Sequence, residues 1–261
     1  MMRDQFIAVV PAAGEARRLP PELRPKELLT IGNSITARGA KPKAVSEYLV
    51  DALSTAGIRQ ICLVISPLKQ DIAEFYASGA RHGVQITYAC QQTAAGMAHA
   101  VDAAHPLLVD RTVVMGMPDT LFKPFDAVLQ LKRFFEREPI DLALGVFPTT
   151  EADRLGPVRF DGAGHVAEIL DKPQVPPVNN TWGLACWGPA FTQFLHDDLA
   201  AWSRERGERP LGSVFHAALE HGLHVRALSF RDGMYIDVGT LTGLCAARRA
   251  AEDWSTEARR C

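Results

Sequence analysis

This chain has no long hydrophobic run. The first, Phe6 to Val10, is five residues, too short for the core of a signal peptide, and no later run approaches a membrane span. No membrane association is therefore expected, and the expected location is cytoplasmic. Nor is there an excess of either charge: a net charge of −2 leaves no global basic field for nucleic acid or an anionic surface. The five cysteines, Cys62, Cys90, Cys186, Cys245 and Cys261, are odd in number, scattered and without a CxxC pair. That pattern reads as a reduced thiol set, with no disulfide framework and no nucleophile singled out. The phosphate-loop pattern G-x-x-x-x-G-K-[ST] is missing, and so are the third glycine and downstream acid of a dinucleotide fingerprint. The histidines show no convincing metal spacing. No internal repeat or Pro/Ser-rich linker interrupts the 261 residues, of which 47% are hydrophobic, enough to bury a sizeable core as one large domain.

What is present is concentrated between Val9 and Leu29, in VVPAAGEARRLPPELRPKELL. A short apolar run, expected as a strand, ends in the small-residue turn Pro11-Ala12-Ala13-Gly14, where backbone N–H groups can approach a phosphate closely. Arg17, Arg18, Arg24 and Lys26 follow within ten residues and would supply charge-assisted contacts to several phosphate oxygens. This is the layout of a triphosphate site, although cations on a solvated loop would read the same way.

Downstream, strand-like and helix-like segments alternate. Val45, Tyr48, Leu49, Ala52, Leu53 and Ala56 recur at helical spacing, with Gly57 placed as the glycine that ends a helix. Ile61 to Ile65 is a continuous apolar run, as in a strand buried on both faces. A helix near Lys69 to Ala77, a strand at Val84 to Ala89, a helix at Gly96 to Ala104 and a strand at Thr112 to Met115 follow. This order predicts an α/β fold with a mostly parallel central sheet and helices on both faces. Ligands in such sheets sit at the carboxyl ends of the strands, where Gly14 and Asp119 would share a crevice. The second half predicts a hairpin around Asp161-Gly-Ala-Gly, a strand at Trp182 to Trp187, helices at Ala190 to Leu199 and Ser213 to Glu220, a strand at Val225 to Phe230, a helix at Leu241 to Glu252 and a frayed end at Ser255 to Cys261.

Four positions carry candidate chemistry, each with a plainer reading. Asp119, in Gly116-Met-Pro-Asp119, is either a Mg²⁺ ligand beside a phosphate or the stabiliser of its own turn. Asp237, in Asp237-Val-Gly239-Thr240, is either a second ligand of that ion or the cap of the final helix. Lys172, in Asp171-Lys172-Pro173, is either the carrier of an acceptor phosphate or a charged strand end. Gln91, five residues before Gly96, is either a reader of a base edge or a surface amide. Tyr48, Trp182 and Trp187 are expected to pack rather than stack on a ligand.

Taken in order, these pieces resemble the sugar-phosphate nucleotidyltransferases, most closely the glucose-1-phosphate thymidylyl- and uridylyltransferases. The family's G-G-x-G-T-R-L loop and later P-K-E/Q-L-L are matched by Ala13-Gly14-Glu15-Ala16-Arg17-Arg18-Leu19 and Pro25-Lys26-Glu27-Leu28-Leu29. Lys41-Pro42 through Gly57-Ile58, Gln91 to Ala100, Gly116 to Asp119, Gly156-Pro157-Val158 with Asp171-Lys172-Pro173, and Asp237 to Thr240 are similar to the family's remaining motifs. The resemblance implies a single-domain, Rossmann-like nucleotide-diphospho-sugar transferase fold over residues 1–254 with a tail at 255–261. It also implies in-line attack of a sugar 1-phosphate on the α-phosphorus of a nucleoside triphosphate, chemistry that needs positioning and charge neutralisation. By the same resemblance Arg18 would hold the pyrophosphate leaving group and Lys26 the α-phosphate region. Ala13, Gly14, Gln91 and Gly96 would bind the nucleotide, and Gly156, Asp171 and Lys172 the sugar phosphate. Asp119 and Asp237 would hold Mg²⁺; as two crowded like charges, loss of either is expected to spare the fold. The implied partners are dTTP or UTP and a sugar 1-phosphate, with no nucleic acid or membrane, and with room for a homo-oligomer.

Three departures qualify the match. Ala16 replaces the loop's last glycine, which is harmless only if that residue keeps a negative φ. Asp171 stands for the usual Glu, one methylene shorter, and the segment from Asn33 to Ala40 is longer than usual. The alternatives are a cytidylyltransferase acting on another phosphorylated alcohol and a binding protein of the same fold that turns nothing over. A related glycosyltransferase would have no need of Arg18 and Lys26 and usually carries a D-x-D, which is absent.

Overall fold

The computed structural model describes residues 6–16, 18–23, 25–36, 39–203 and 207–260, with 34–36 and 255–260 as backbone only. Arg17 and Arg24, two of the loop cations, and Cys261 lie outside these residues.

Apolar residues on both faces of successive strands dictate a buried sheet. In β1 (Phe6–Pro11), Ile7 and Val9 enter one core while Ala8 and Val10 enter another on the opposite side. After β1 come a polar hairpin, β2 (Thr30–Thr36) and β3 (Gly39–Ala44), and helix α1 (Val45–Thr55). Then follow β4 (Gln60–Ile65), α2 (Gln70–Tyr76), β5 (Gln85–Cys90), α3 (Met97–Asp102), the short α4 (His105–Leu108) and β6 (Thr112–Gly116). The middle of the chain forms β7 (Thr120–Lys123), α5 (Ala127–Arg137), β8 (Leu142–Pro148) and the hairpin of β9 (Val158–Phe160) and β10 (Val166–Ile169). The last part forms β11 (Asn180–Trp187), α6 (Pro189–Ala201), α7 (Leu211–Glu220), β12 (Val225–Ser229), β13 (Met234–Asp237) and α8 (Leu241–Arg260).

Seven strands form the central sheet in the order β12-β8-β11-β6-β1-β4-β5. Its neighbours pair in parallel except at β11, which runs antiparallel to both β6 and β8. Helices α3, α6 and α7 pack on one face, and α1, α2 and α5 on the other. This is the mostly parallel, doubly covered α/β fold that the alternation of elements predicts. The chain runs from β1 outward through β4 to β5, then returns to β6 on the other side of β1. The loops leaving β1 and β6 therefore diverge at a topological switch point, the place where such sheets bind ligands.

Away from the main sheet, β7 and β13 form an antiparallel pair in which Asp237 stands opposite Thr120. Leu121, Val238, Ile31 and the inner side of α8 (Leu244, Ala247, Trp254) form a third apolar cluster beneath that pair. The α8 helix runs on to Arg260, so the segment expected to fray forms its last turns. The predicted Gly57 does follow the end of α1, in the left-handed conformation at φ +80°.

Cys62 and Cys186 are buried in the core strands, and burial pushes the Cys62 thiol up to about 11 and raises Cys186 as well. Ellman's reagent is expected to label the exposed Cys90 and Cys245 in the native protein, and Cys62 and Cys186 only after denaturation.

Candidate active site

The ends of β1, β6 and β13, the start of α3 and the segments flanking β9 and β10 enclose an open cavity of about 510 Å³. Folding brings onto its wall every described residue to which the family resemblance assigns a ligand. Ala13, Gly14, Arg18, Lys26, Asp119 and Asp237 lie at one end with Gln91 and Gly96 near them, and Gly156, Asp171 and Lys172 line it as well.

The charges are arranged in matched pairs. Lys26, in the short helical turn Lys26–Leu28, forms an ion pair with Asp119. Burial works against both charges, but the pair outweighs it: the Lys26 ammonium is raised above its ordinary value and the Asp119 carboxyl held below its own. The register of β13 on β7 places Asp237 opposite the residue that follows Asp119. There Arg18 Nη2 donates to Asp237 Oδ2 at 3.1 Å, with the arginine side chain 55% exposed. Asp237 also accepts the Gly239 N–H at 2.7 Å, so it caps the turn into α8 while facing the cavity. Each carboxylate is thus matched by a loop cation, and removing Asp119 would strand the largely buried Lys26, whereas removing Asp237 would leave a half-solvated arginine. Tyr235, two residues before Asp237, lines the same wall, and burial together with Asp119 and Asp237 raises its phenol.

Among the described residues no group of three or more His, Cys, Asp and Glu is arranged to hold a metal. Two carboxylates, one just before β7 and one at the end of β13, suit Mg²⁺ better than a metal that needs a full protein cage. Mg²⁺ is usually held by one or two carboxylates, with substrate phosphates and water supplying the rest. The donor set fits that ion.

In the loop after β1, Gly14 is exposed and a side chain there would meet nothing, leaving its backbone open to a ligand. Ala16 does not meet the condition under which its replacement of glycine would be harmless: it takes φ +52°, the left-handed conformation. The loop thus keeps the glycine geometry with a residue that pays about 1–2 kcal/mol for it. Gln91 is buried and its amide donates to the Gly96 carbonyl at 2.9 Å, closing the loop that leads into α3. Part of that amide is committed to the backbone. Gly96, at φ +89°, lies under the side chain of Glu208, which a methyl group there would overlap.

At the other end, the Gly156 N–H donates to Thr181 Oγ1 at 3.2 Å, and the Lys172 N–H donates to Leu155 O at 2.9 Å. Lys172 holds φ +45°, a strained conformation for a side-chain-bearing residue and one that tends to occur at functional positions. Trp182 packs edge-on against Phe215, as expected for a core aromatic, but it also lines the cavity, and its indole occupies the space a side chain at Gly156 would need. Sequence reasoning missed Arg154, Glu208 and Tyr235. Tyr235 stands two residues before the Asp237 motif; Arg154 ends a short helical turn and Glu208 lies on a loop, both without a signature.

The model of the nucleotidyl transferase family matches residues 7–253, and the chain belongs to that family. The sequence is 27% identical over 256 residues to the low-salt glycan biosynthesis nucleotidyltransferase of Haloferax volcanii, covering 96% of this chain and 68% of that one. It is 26% identical over 259 residues to the UTP–glucose-1-phosphate uridylyltransferase of the same organism, covering 96% and 98%. A crystal structure titled as a glucose-1-phosphate thymidylyltransferase from Bacillus anthracis superposes with a TM-score of 0.82 at 21% identity, covering 95% of this chain and 96% of that one, a likeness of fold.

Proposed function

We propose that the chain transfers a nucleoside monophosphate from dTTP or UTP to a sugar 1-phosphate, glucose 1-phosphate being the first candidate, and releases pyrophosphate. The observation that carries this reading is the pairing of two loop cations with two carboxylates from separate parts of the chain in one cavity, which Lys172 enters from another wall. Relatives named for UTP and glucose 1-phosphate support the substrate class.

In this reading the backbone of Ala13 and Gly14 approaches the triphosphate. Arg18 takes the departing pyrophosphate and Lys26 the α-phosphate, each exchanging a carboxylate partner for a phosphate. Lys172, with the Gly156 segment beside it, holds the acceptor phosphate so that its oxygen lies in line with the α-phosphorus, and Asp171 faces the sugar. Gln91 and Gly96 receive the base. Mg²⁺ bound by Asp119 and Asp237 would neutralise phosphate charge. No protein nucleophile is required, since positioning and charge account for the step.

Pyrophosphate release across a matrix of dTTP, UTP and CTP against sugar 1-phosphates tests the reading. Transfer with dTTP or UTP is expected. Exclusive use of CTP with another phosphorylated alcohol would replace it with the cytidylyltransferase alternative, and nucleotide-sugar binding without turnover would replace it with a binding protein. Lys172→Ala should raise KM for the sugar phosphate roughly tenfold, the size of a lost charge-assisted contact, with little change in nucleotide affinity. Equal weakening of both ligands would contradict that division.

A further inference from the structure

Lys69 lies in the turn between β4 and α2, and the transfer reading gives it no part. Its side chain is nevertheless only 8% exposed. Its ammonium donates to Glu27 Oε1 at 2.7 Å and to the Ala12 carbonyl at 2.8 Å. Glu27 is 2% exposed, its Oε2 has no partner, and it follows Lys26 directly in the chain. Two ammonium groups and two carboxylates, Lys69 with Glu27 and Lys26 with Asp119, therefore share one low-dielectric region, with Lys26, Glu27 and Asp119 on the cavity wall and Lys69 behind them. Each cation in such a set has a choice of anion. Burial raises the Glu27 carboxyl, and Lys69, more than Lys26, acts to bring it back down. Without Lys69, Glu27 would be a buried carboxylate whose nearest compensating charge is Lys26, and attraction would draw Lys26 away from Asp119 and the cavity.

We propose that Lys69 is a positioning residue for nucleotide transfer: by neutralising Glu27 and tying it to Ala12 at the end of β1, it keeps Lys26 facing Asp119 and the triphosphate. The tie also joins the two segments that flank the phosphates, since Ala12 precedes the Gly14 loop and Glu27 belongs to the Lys26 turn. This proposal rests on the transfer reading for the role of Lys26.

The test compares Lys69→Met, Lys69→Arg and the double variant Lys69→Met/Glu27→Gln in the full chain. Steady-state kinetics are followed for both substrates, triphosphate binding by calorimetry, and folding by circular dichroism. Lys69→Met should lower kcat and weaken triphosphate binding by about tenfold or more, the loss of one well-aimed charged contact, while KM for the sugar phosphate stays within about twofold. The double variant should recover most of both losses, because removing the Glu27 charge removes the competitor for Lys26. Lys69→Arg, which keeps the charge, should lie between wild type and Lys69→Met. If Lys69→Met does not fold, recovery in the double variant still supports the proposal, and a folded double variant with the full defect overturns it. Wild-type turnover and triphosphate affinity in folded Lys69→Met, or equal weakening of both substrates, also overturn it. Should the wild type bind triphosphate yet transfer nothing to any sugar phosphate, the transfer reading fails, while the calorimetric pattern of loss and recovery still decides the placement of Lys26.

Discussion

Asp119→Ala and Asp237→Ala will each lower kcat by at least about a hundredfold, and the double variant will be scarcely worse than either single one. A metal ion that neutralises phosphate charge contributes several kcal/mol to the transition state, and about 2.7 kcal/mol already amounts to a hundredfold. Residues serving one ion act as a unit, so their losses do not add. The stability costs, in contrast, should differ. Asp119 compensates Lys26, whose side chain is 17% exposed, and removing it strands a largely buried cation. A cost of about 3 kcal/mol is expected there, the lower end of the range for breaking a buried pair. Asp237 pairs with an arginine that is 55% exposed and caps the turn at Gly239. Its loss should cost about 1 kcal/mol, mainly from the cap. Turnover and thermal midpoints of the three variants check both halves. If both residues were only turn and helix caps, activity would survive and the stability losses would add.

Arg18→Ala is expected to lower kcat/KM by at least about tenfold, and by up to about a thousandfold if its contact forms mainly in the transition state, while leaving the thermal midpoint within error. The asymmetry follows from exposure. In the ligand-free protein Arg18 makes a half-solvated ion pair, a contact worth about 0–1 kcal/mol. Against a leaving pyrophosphate the same guanidinium meets growing negative charge in a more enclosed cavity, where a charged hydrogen bond is stronger. A variant with wild-type kcat/KM would reduce Arg18 to surface charge. A variant that loses stability and activity together would make its pairing with Asp237 structural.

How much of this was legible in the sequence depended on how locally each feature is encoded. The central strands announced themselves because burial on both faces demands unbroken apolar runs such as Ile61 to Ile65. The loop after β1 stands out as a candidate phosphate loop because close backbone approach calls for small residues and phosphates call for cations. The β2–β3 hairpin has no such signal: it mixes polar, small and apolar residues without alternation, and β3 is mostly exposed. The β7–β13 pair is four residues on each side and joins segments more than a hundred positions apart, so no local pattern shows that Asp119 and Asp237 meet. Helix α5 carried an amphipathic signal, with Ala127, Val128 and Leu131 on its buried side, and was passed over. The sequence shows that alanine stands at Ala16 but not its φ, because the surrounding loop and not the residue type sets the left-handed conformation there. Lys69 has no signature at all, because a lysine in a turn after a strand looks like any solvated lysine until the buried partner, 42 positions away, is known.

The central claim is that the cavity directs attack at the α-phosphorus of a nucleoside triphosphate. Phosphorus NMR of the protein with UTP or dTTP, glucose 1-phosphate and Mg²⁺ tests it most directly. Pyrophosphate and a sugar-linked diphosphate should appear together in equal amounts, with the glucose 1-phosphate signal falling in step. Inorganic phosphate and a nucleoside diphosphate appearing instead would place the attack at the γ-phosphorus and contradict the account.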